Sequence, residues 1–219
     1  MVGVFIVFNS MALRDFAKRL IVTQSYYQFG IKVEVSDVRI SYFRPAVRIQ
    51  GIKLIKEDPK YKVNLSAEEA SVYFNIIKLI RGKVGISGIK LEKPDLSVFI
   101  DLNYDDKKLD INVASILKEL DKGDLKRVII DDGNIDLTLK NADKTEIFDL
   151  NGFNVNIRKG IISDFVLEMS ADSVKLPIEQ IKSFELRADI KNKQLKINKA
   201  DITVSGGKIY AGGTLSDIT

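Results

Sequence analysis

The sequence predicts a mainly β fold: an elongated, twisted antiparallel sheet with an N-terminal helix and one or two short helices. Three observations carry that expectation. From Gly30 onward most segments alternate apolar with polar residues, the two-residue period of strands with one dry face. Gly, Asn, Asp and Pro stand between these segments, where turns need them. One strand phrase also returns at a fixed spacing, as stacked units do. With 219 residues, 45% of them hydrophobic, the chain can bury a sizeable core in one elongated domain or two small ones.

The elements follow in order. Residues 2–8, VGVFIVF, are apolar and uncharged. They are too short for a span of about twenty residues and lack the basic start of a signal peptide. Two origins fit them: the outer end of a membrane anchor, or a buried strand or helical turn. From Leu13 the spacing becomes helical, with Leu13, Phe16, Ala17, Leu20, Ile21 and Tyr27 near one face and Arg14, Lys18 and Arg19 elsewhere. Basic residues directly after a span point to the cytoplasmic side, which weighs against export. Residues 1–29 are therefore read as a partial anchor with an amphipathic helix, and residues 30–219 as the β-domain.

Strands are expected in KVEVSDVRI, PAVRIQGIKLI, AEEASVYFNI, KVGISGIKLE and DLSVFIDL, and then in LKRVIID, GNIDLTLK and FNVNIRK. DFVLEMSADSV, SFELRADIK, QLKINK and ADITVSGGKIYAGGTL complete the set. Two interruptions read as helices. One is short, around Ile76 to Ile80, and leaves helix and strand both open over 68–80. The other is NVASILKELDKG, where Val113, Ile116, Leu117 and Leu120 form one stripe.

The repeat is specific. Ile86, Ile89, Leu91, Pro94, Leu96, Val98 and Ile100 correspond, 39 residues on, to Leu125, Val128, Ile130, Gly133, Ile135, Leu137 and Leu139. A looser third copy places Leu195, Ile197, Ala200, Ile202 and Val204 at 67 residues after Val128, Ile130, Gly133, Ile135 and Leu137. Such recurrence predicts strand pairs, hinged at Pro94 in the first copy, stacked along one axis. Phe153, Val155 and Ile157 alternate with Asn154, Asn156 and Arg158, and Phe184, Leu186, Ala188 and Ile190 with charged residues. A sheet with one dry face must cover it. A second sheet or the helices would close a core; a hydrophobic ligand would occupy a groove. On alternation alone the closed core is the commoner outcome.

Composition excludes several chemistries. The chain has no cysteine and no histidine, so disulfides, thiolate metal sites and His-based nucleophilic or acid/base systems are ruled out. Asp105-Asp106 and Asp131-Asp132 are neighbours whose side chains on a strand would diverge. SGGKIYAGG, residues 205–213, lacks phosphate-loop spacing and reads as a hairpin. The net charge of +4 is dispersed among 34 basic and 30 acidic residues, without a nucleic-acid patch. No enzyme, metal site or cofactor is expected.

The order of elements resembles the N-terminal, membrane-proximal region of the AsmA-like family of bacterial envelope proteins. The likeness covers residues 1–102 well and the remainder only as generic β-repeats. Leu79, Gly82, Ile86, Ile89, Leu91, Pro94, Leu96 and Val98 fit the family phrase of a short helix with a basic-Gly end followed by paired strands. The resemblance implies a repeating β-groove, akin to bridge-like lipid transfer proteins, that takes phospholipid acyl chains between inner and outer membranes. It implies single-pass anchoring in the inner membrane with a periplasmic β-domain truncated at its C-terminal end. Its partners would be phospholipids, the inner membrane, and an outer-membrane protein or further repeats of the same chain. The expected lipid-binding residues are Ile89, Leu91, Leu96, Val98, Ile100, Val128, Ile130, Ile135, Leu137, Leu139, Phe153, Val155, Ile157, Phe184, Leu186 and Ile190. The alternative is a closed β-domain serving as a structural or assembly factor for outer-membrane proteins.

Overall fold

The computed structural model describes residues 11–29, 31–41, 45–83, 85–103, 125–160, 164–177, 179–191 and 194–216. Helix α1 (Met11–Phe29) precedes one sheet of thirteen strands. These are β1 (Lys32–Glu34), β2 (Asp37–Ser41), β3 (Ala46–Glu57), β4 (Tyr61–Phe74), β5 (Ile86–Glu92), β6 (Asp95–Asp101) and β7 (Arg127–Asn141). There follow β8 (Lys144–Lys159), β9 (Phe165–Ala171), β10 (Ser173–Lys175), β11 (Gln180–Lys191), β12 (Gln194–Val204) and β13 (Gly207–Leu215). A short helix, α2 (Ile76–Ile80), joins β4 to β5. Residues 2–8 and the helix expected in NVASILKELDKG lie outside the described residues.

The strands stack as rungs of one ladder. β1 and β2 lie end to end on β3; β4 follows; β5 and β6 lie end to end between β4 and β7. Next come β8, the collinear β9 and β10, and then β11, β12 and β13. Among the described elements the extensive contacts are between neighbouring rungs, with α1 against β1 and β2. A one-dimensional stack follows from strands that each bury one face and pair on both edges.

The sheet is mixed rather than antiparallel throughout, because β5 and β6 both run parallel to β7. Parallel neighbours require a long return connection, and residues 102–126 supply it. The 39-residue repeat has its cause here. Ile89 pairs with Val128, Leu91 with Ile130, Leu96 with Ile135 and Val98 with Leu137, so each residue lies beside its own repeat copy. Nor is Pro94 the tip of a hairpin. β5 and β6 continue one another across it as a single broken rung. The looser third copy, β12, sits several rungs away with a bulge between Ile197 and Ala200.

The breaks line up across the sheet. Lys93 has φ 46° and Asp132, its repeat copy, φ 54°; Gly51 has 56° and Gly152 has 61°. Such left-handed residues mark bulges, which bend and twist a strand. Local hydrogen bonds hold the line: the Lys93 amide donates to the Asp131 carbonyl at 2.8 Å and the Asn134 amide to the Pro94 carbonyl at 2.7 Å. Asn154 Oδ1 accepts from the Asp132 amide at 2.9 Å. Gly133 takes the place of Pro94 in the second copy because a Cβ there would lie 3.0 Å from Pro94 Cγ.

Little of the molecule is deeply buried. The core cluster is Val33, Val35 and Val38, against which Ile21 of α1 packs together with Val47, Ile49, Ile52 and Leu54. The expected apolar face of α1 is only partly used, since Phe16 and Tyr27 are exposed. β4 and β8 begin earlier than alternation suggested, at Tyr61 and Lys144. The stretch 68–80 divides into strand up to Phe74 and helix from Ile76. Of the hairpin read in residues 205–213, residues 205–206 are the turn between β12 and β13 and the rest is strand β13.

Gly152 tests the line of breaks. An alanine there would occupy left-handed backbone and press on the Asp172 side chain. Gly152→Ala is expected to cost about 1–3 kcal/mol and to lower the thermal midpoint; an unchanged midpoint would show the position to be unconstrained.

Candidate functional site

Cross-strand partners share a face, so the register shows which side chains lie together. One row runs Ile40, Val47, Val72, Ile89, Val128, Ile157, Leu167, Ala188, Ile197. A second runs Val38, Ile49, Ala70, Leu91, Ile130, Val155, Met169, Leu186, Ala200, Ala211. Across the breaks a third runs Val33, Leu54, Leu65, Leu96, Ile135, Leu150, Val174, Ile181, Val204. No titratable residue interrupts these rows. Shorter rows add Val63, Val98, Leu137 and Phe148, then Tyr61, Ile100 and Leu139, then Phe184, Ile202 and Ile209.

The second and third rows are five residues apart on each rung from β1/β2 to β11, as in Leu91 to Leu96, Ile130 to Ile135 and Val155 to Leu150. In a regular strand an odd step changes faces. Backbone breaks, left-handed at Gly51, Lys93, Asp132 and Gly152, take up the odd residue, and in the first rungs Val33 and Val38 pack with both Ile49 and Leu54 on one side.

The sixteen expected residues fall on this one face. Ile89, Val128 and Ile157 stand in the first row; Leu91, Ile130, Val155 and Leu186 in the second; Leu96 and Ile135 in the third. Val98, Ile100, Leu137, Leu139 and Phe184 occupy the shorter rows, Phe153 pairs with Gly133, and Ile190 lies between Phe165 and Leu195. Only Val155, 7% exposed, is buried; the other fifteen are half-buried. α1 packs over the first rungs, and beyond β3 no other described element packs on the rows. Among the row residues that sequence reasoning missed are Leu65, Val72, Leu150, Leu167, Met169, Val174 and Ile181. The recurring five-residue step was the signal that would have found them.

The opposite face is polar and cross-linked. Lys90 Nζ lies 2.5 Å from Glu92 and 3.3 Å from Asp131; Glu168 accepts from Asn156 at 2.9 Å and lies 3.6 Å from Arg158 and 3.7 Å from Arg187. Lys199 lies 2.6 Å from Glu185 and 3.1 Å from Asp201. Hydrogen bonding to Glu92 raises Lys90 above the ordinary lysine range, and hydrogen bonding to Glu185 does so for Lys199. Lys90–Asp131, the Glu168 contacts and Lys199–Glu185 tie rung to rung on the wet side, each weakly. No group of acidic side chains able to hold a metal occurs among the described residues. The apolar rows suit apolar association. Compared with known proteins, the chain matches no family model and none of the curated sequences.

Several like-charged residues face each other across the ladder, Glu69–Glu92 and Arg127–Arg158 among them, and one such pair perturbs a carboxyl. Asp136 faces Asp149 directly across β7 and β8. Partial burial, then the charges of Asp149 and Asp95, raise the Asp136 carboxyl above its usual range. A carboxyl whose pKa is raised on folding costs stability once ionised, so its penalty is absent at acid pH and grows as pH rises through the carboxylate range. Asp136→Asn should therefore stabilise the protein at pH 7 by a few tenths of a kcal/mol, within the roughly 0.2–1 kcal/mol of a cross-strand pair. The gain should vanish below about pH 3.9. Denaturant unfolding at the two pH values measures it, and an equal gain at both would remove the charge explanation.

Proposed function

We propose that the apolar face binds acyl chains and that the chain contributes to phospholipid transport between membranes. What carries this reading is the continuity of half-buried, uncharged rows over most of the ladder, with nothing described packed on them beyond β3. A closed core would instead bury such residues among six to twelve neighbours. Strands that bend at the aligned bulges would turn the rows into the lining of a groove.

The magnitudes are compatible. A sixteen-carbon chain leaving a bilayer must recover roughly 13 kcal/mol, at about 0.8 kcal/mol per methylene. That corresponds to about 500 Å² of apolar contact at about 25 cal/mol per Å². Rungs about 4.8 Å apart give roughly 48 Å over ten, long enough for a chain or two. Transport along the face needs no reacting group. It needs rows without a charged interruption, and these are present.

The same proposal places the protein in a two-membrane bacterial envelope, held at the inner membrane by residues 1–29 with the sheet in the periplasm. No described helix is long and apolar enough to cross a membrane.

Substitution separates an open face from packing. Val98 and Leu137 are direct neighbours in adjacent rungs, and both are half-buried. Val98→Asp and Leu137→Asp are expected to leave the thermal midpoint within a few degrees of the parent and to abolish uptake of a fluorescent acyl probe. Ala188, 0% exposed in the first row, is the contrast. Ala188→Asp should unfold the sheet, since burying a polar group without a partner costs roughly 2–7 kcal/mol. Collapse of all three variants would show the rows to be a closed core and end the acyl-chain reading.

A further inference from the structure

Helix α2 departs from the usual rule for a short surface helix. Ile76 is 51% exposed, Ile77 59%, Leu79 38% and Ile80 80%, and none of its five residues is buried. Caps hold it instead of packing. Asn75 Oδ1 accepts from the amides of Ile77 at 3.1 Å and Lys78 at 3.4 Å. At the other end Gly82, φ 70°, lets the Lys83 amide donate to the Lys78 carbonyl at 2.8 Å and its own amide to the Leu79 carbonyl at 3.0 Å. The Asn75 amide donates to the Gly85 carbonyl at 2.7 Å, closing the base. The result is a preformed tip whose apolar side chains point into solvent.

Its surroundings are basic. Arg81 and Lys83 follow the helix and are exposed. Lys126 and Lys159 are exposed on the same end of the sheet, joined there by the hydrogen bond from the Lys159 amide to the Lys126 carbonyl at 2.8 Å; among the described residues Asp164 is an acid nearby. Apolar surface continues from Ile76 into an open cavity of about 510 Å³ lined also by Tyr73, Phe74 and Ile129, with Arg127 at its wall.

We propose that α2 and this basic rim dock the protein on an anionic lipid surface, with Ile76, Ile77 and Ile80 entering the headgroup–acyl boundary and Arg81 and Lys83 meeting lipid phosphates. Five residues are too few for the repeated anchors with which a helix fills a protein groove. A wide apolar wedge beside exposed cations suits a bilayer interface, where long basic side chains keep their charge in the headgroups. Docking at this site does not depend on acyl-chain binding by the rows.

The chain contains no tryptophan, so Ile80→Trp in the full 219-residue chain reports this position alone. With phosphatidylcholine vesicles containing phosphatidylglycerol, indole emission is expected to shift to the blue and to be quenched by bromine-labelled acyl chains. Pure phosphatidylcholine should produce a much weaker shift. Raising salt from about 0.01 M to about 1 M, which shortens the Debye length from about 30 Å to about 3 Å, should largely reverse it. Adding Arg81→Glu and Lys83→Glu should weaken vesicle binding about tenfold, or about 1.4 kcal/mol, with the thermal midpoint unchanged. An indole that stays in water while the protein sediments with vesicles overturns the proposal. So does a blue shift that appears only with rising protein concentration and no lipid, which would assign α2 to a protein contact.

Discussion

The constraint on which everything else depends is the five-residue step between apolar residues on either side of each break. An odd step in a regular strand would send one half of every rung's apolar side chains into water. The aligned bulges, left-handed at Gly51, Lys93, Asp132 and Gly152, absorb the extra residue and bring both halves back to one face. Pro94 beside Gly133, and the Asn134 and Asn154 side chains on neighbouring amides, satisfy the backbone where the ladder is interrupted.

Stability and accessibility follow from the same arrangement. Each described rung leans mainly on its neighbours through main-chain hydrogen bonds, with ion pairs stitching the polar face. Cohesion of this kind does not require a second layer, so the apolar rows can remain half-buried without loss of the fold. α1 finishes the first rungs by packing Ile21 near Val33, Val35 and Val38. One-sided strands that keep pairing while their dry face stays available are what the proposed binding of a long apolar ligand rests on.

Much of this was legible in the residues. Alternation located most strands and helical spacing located α1, while the short helix around Ile76 to Ile80 was read with strand left open over 68–80. The parallel pairing was not legible. A 39-residue spacing is equally compatible with stacked hairpins, and only the register shows β5 and β6 lying beside β7 in the same direction. The early halves of β4 and β8 were missed because the five-residue step breaks the alternation there. Side chains of opposite fate also look alike in sequence: Phe16 and Tyr27 fit the apolar stripe of α1 and stand in solvent.

The most direct measurement of the central claim is photolabelling of the intact protein by a phospholipid carrying a photoreactive group near the end of its acyl chain. Adducts are predicted on the apolar rows of several successive rungs, from β6 through β11, and not on the ion-paired face. Labelling confined to other surfaces, or none on a folded and delipidated protein, would contradict the account.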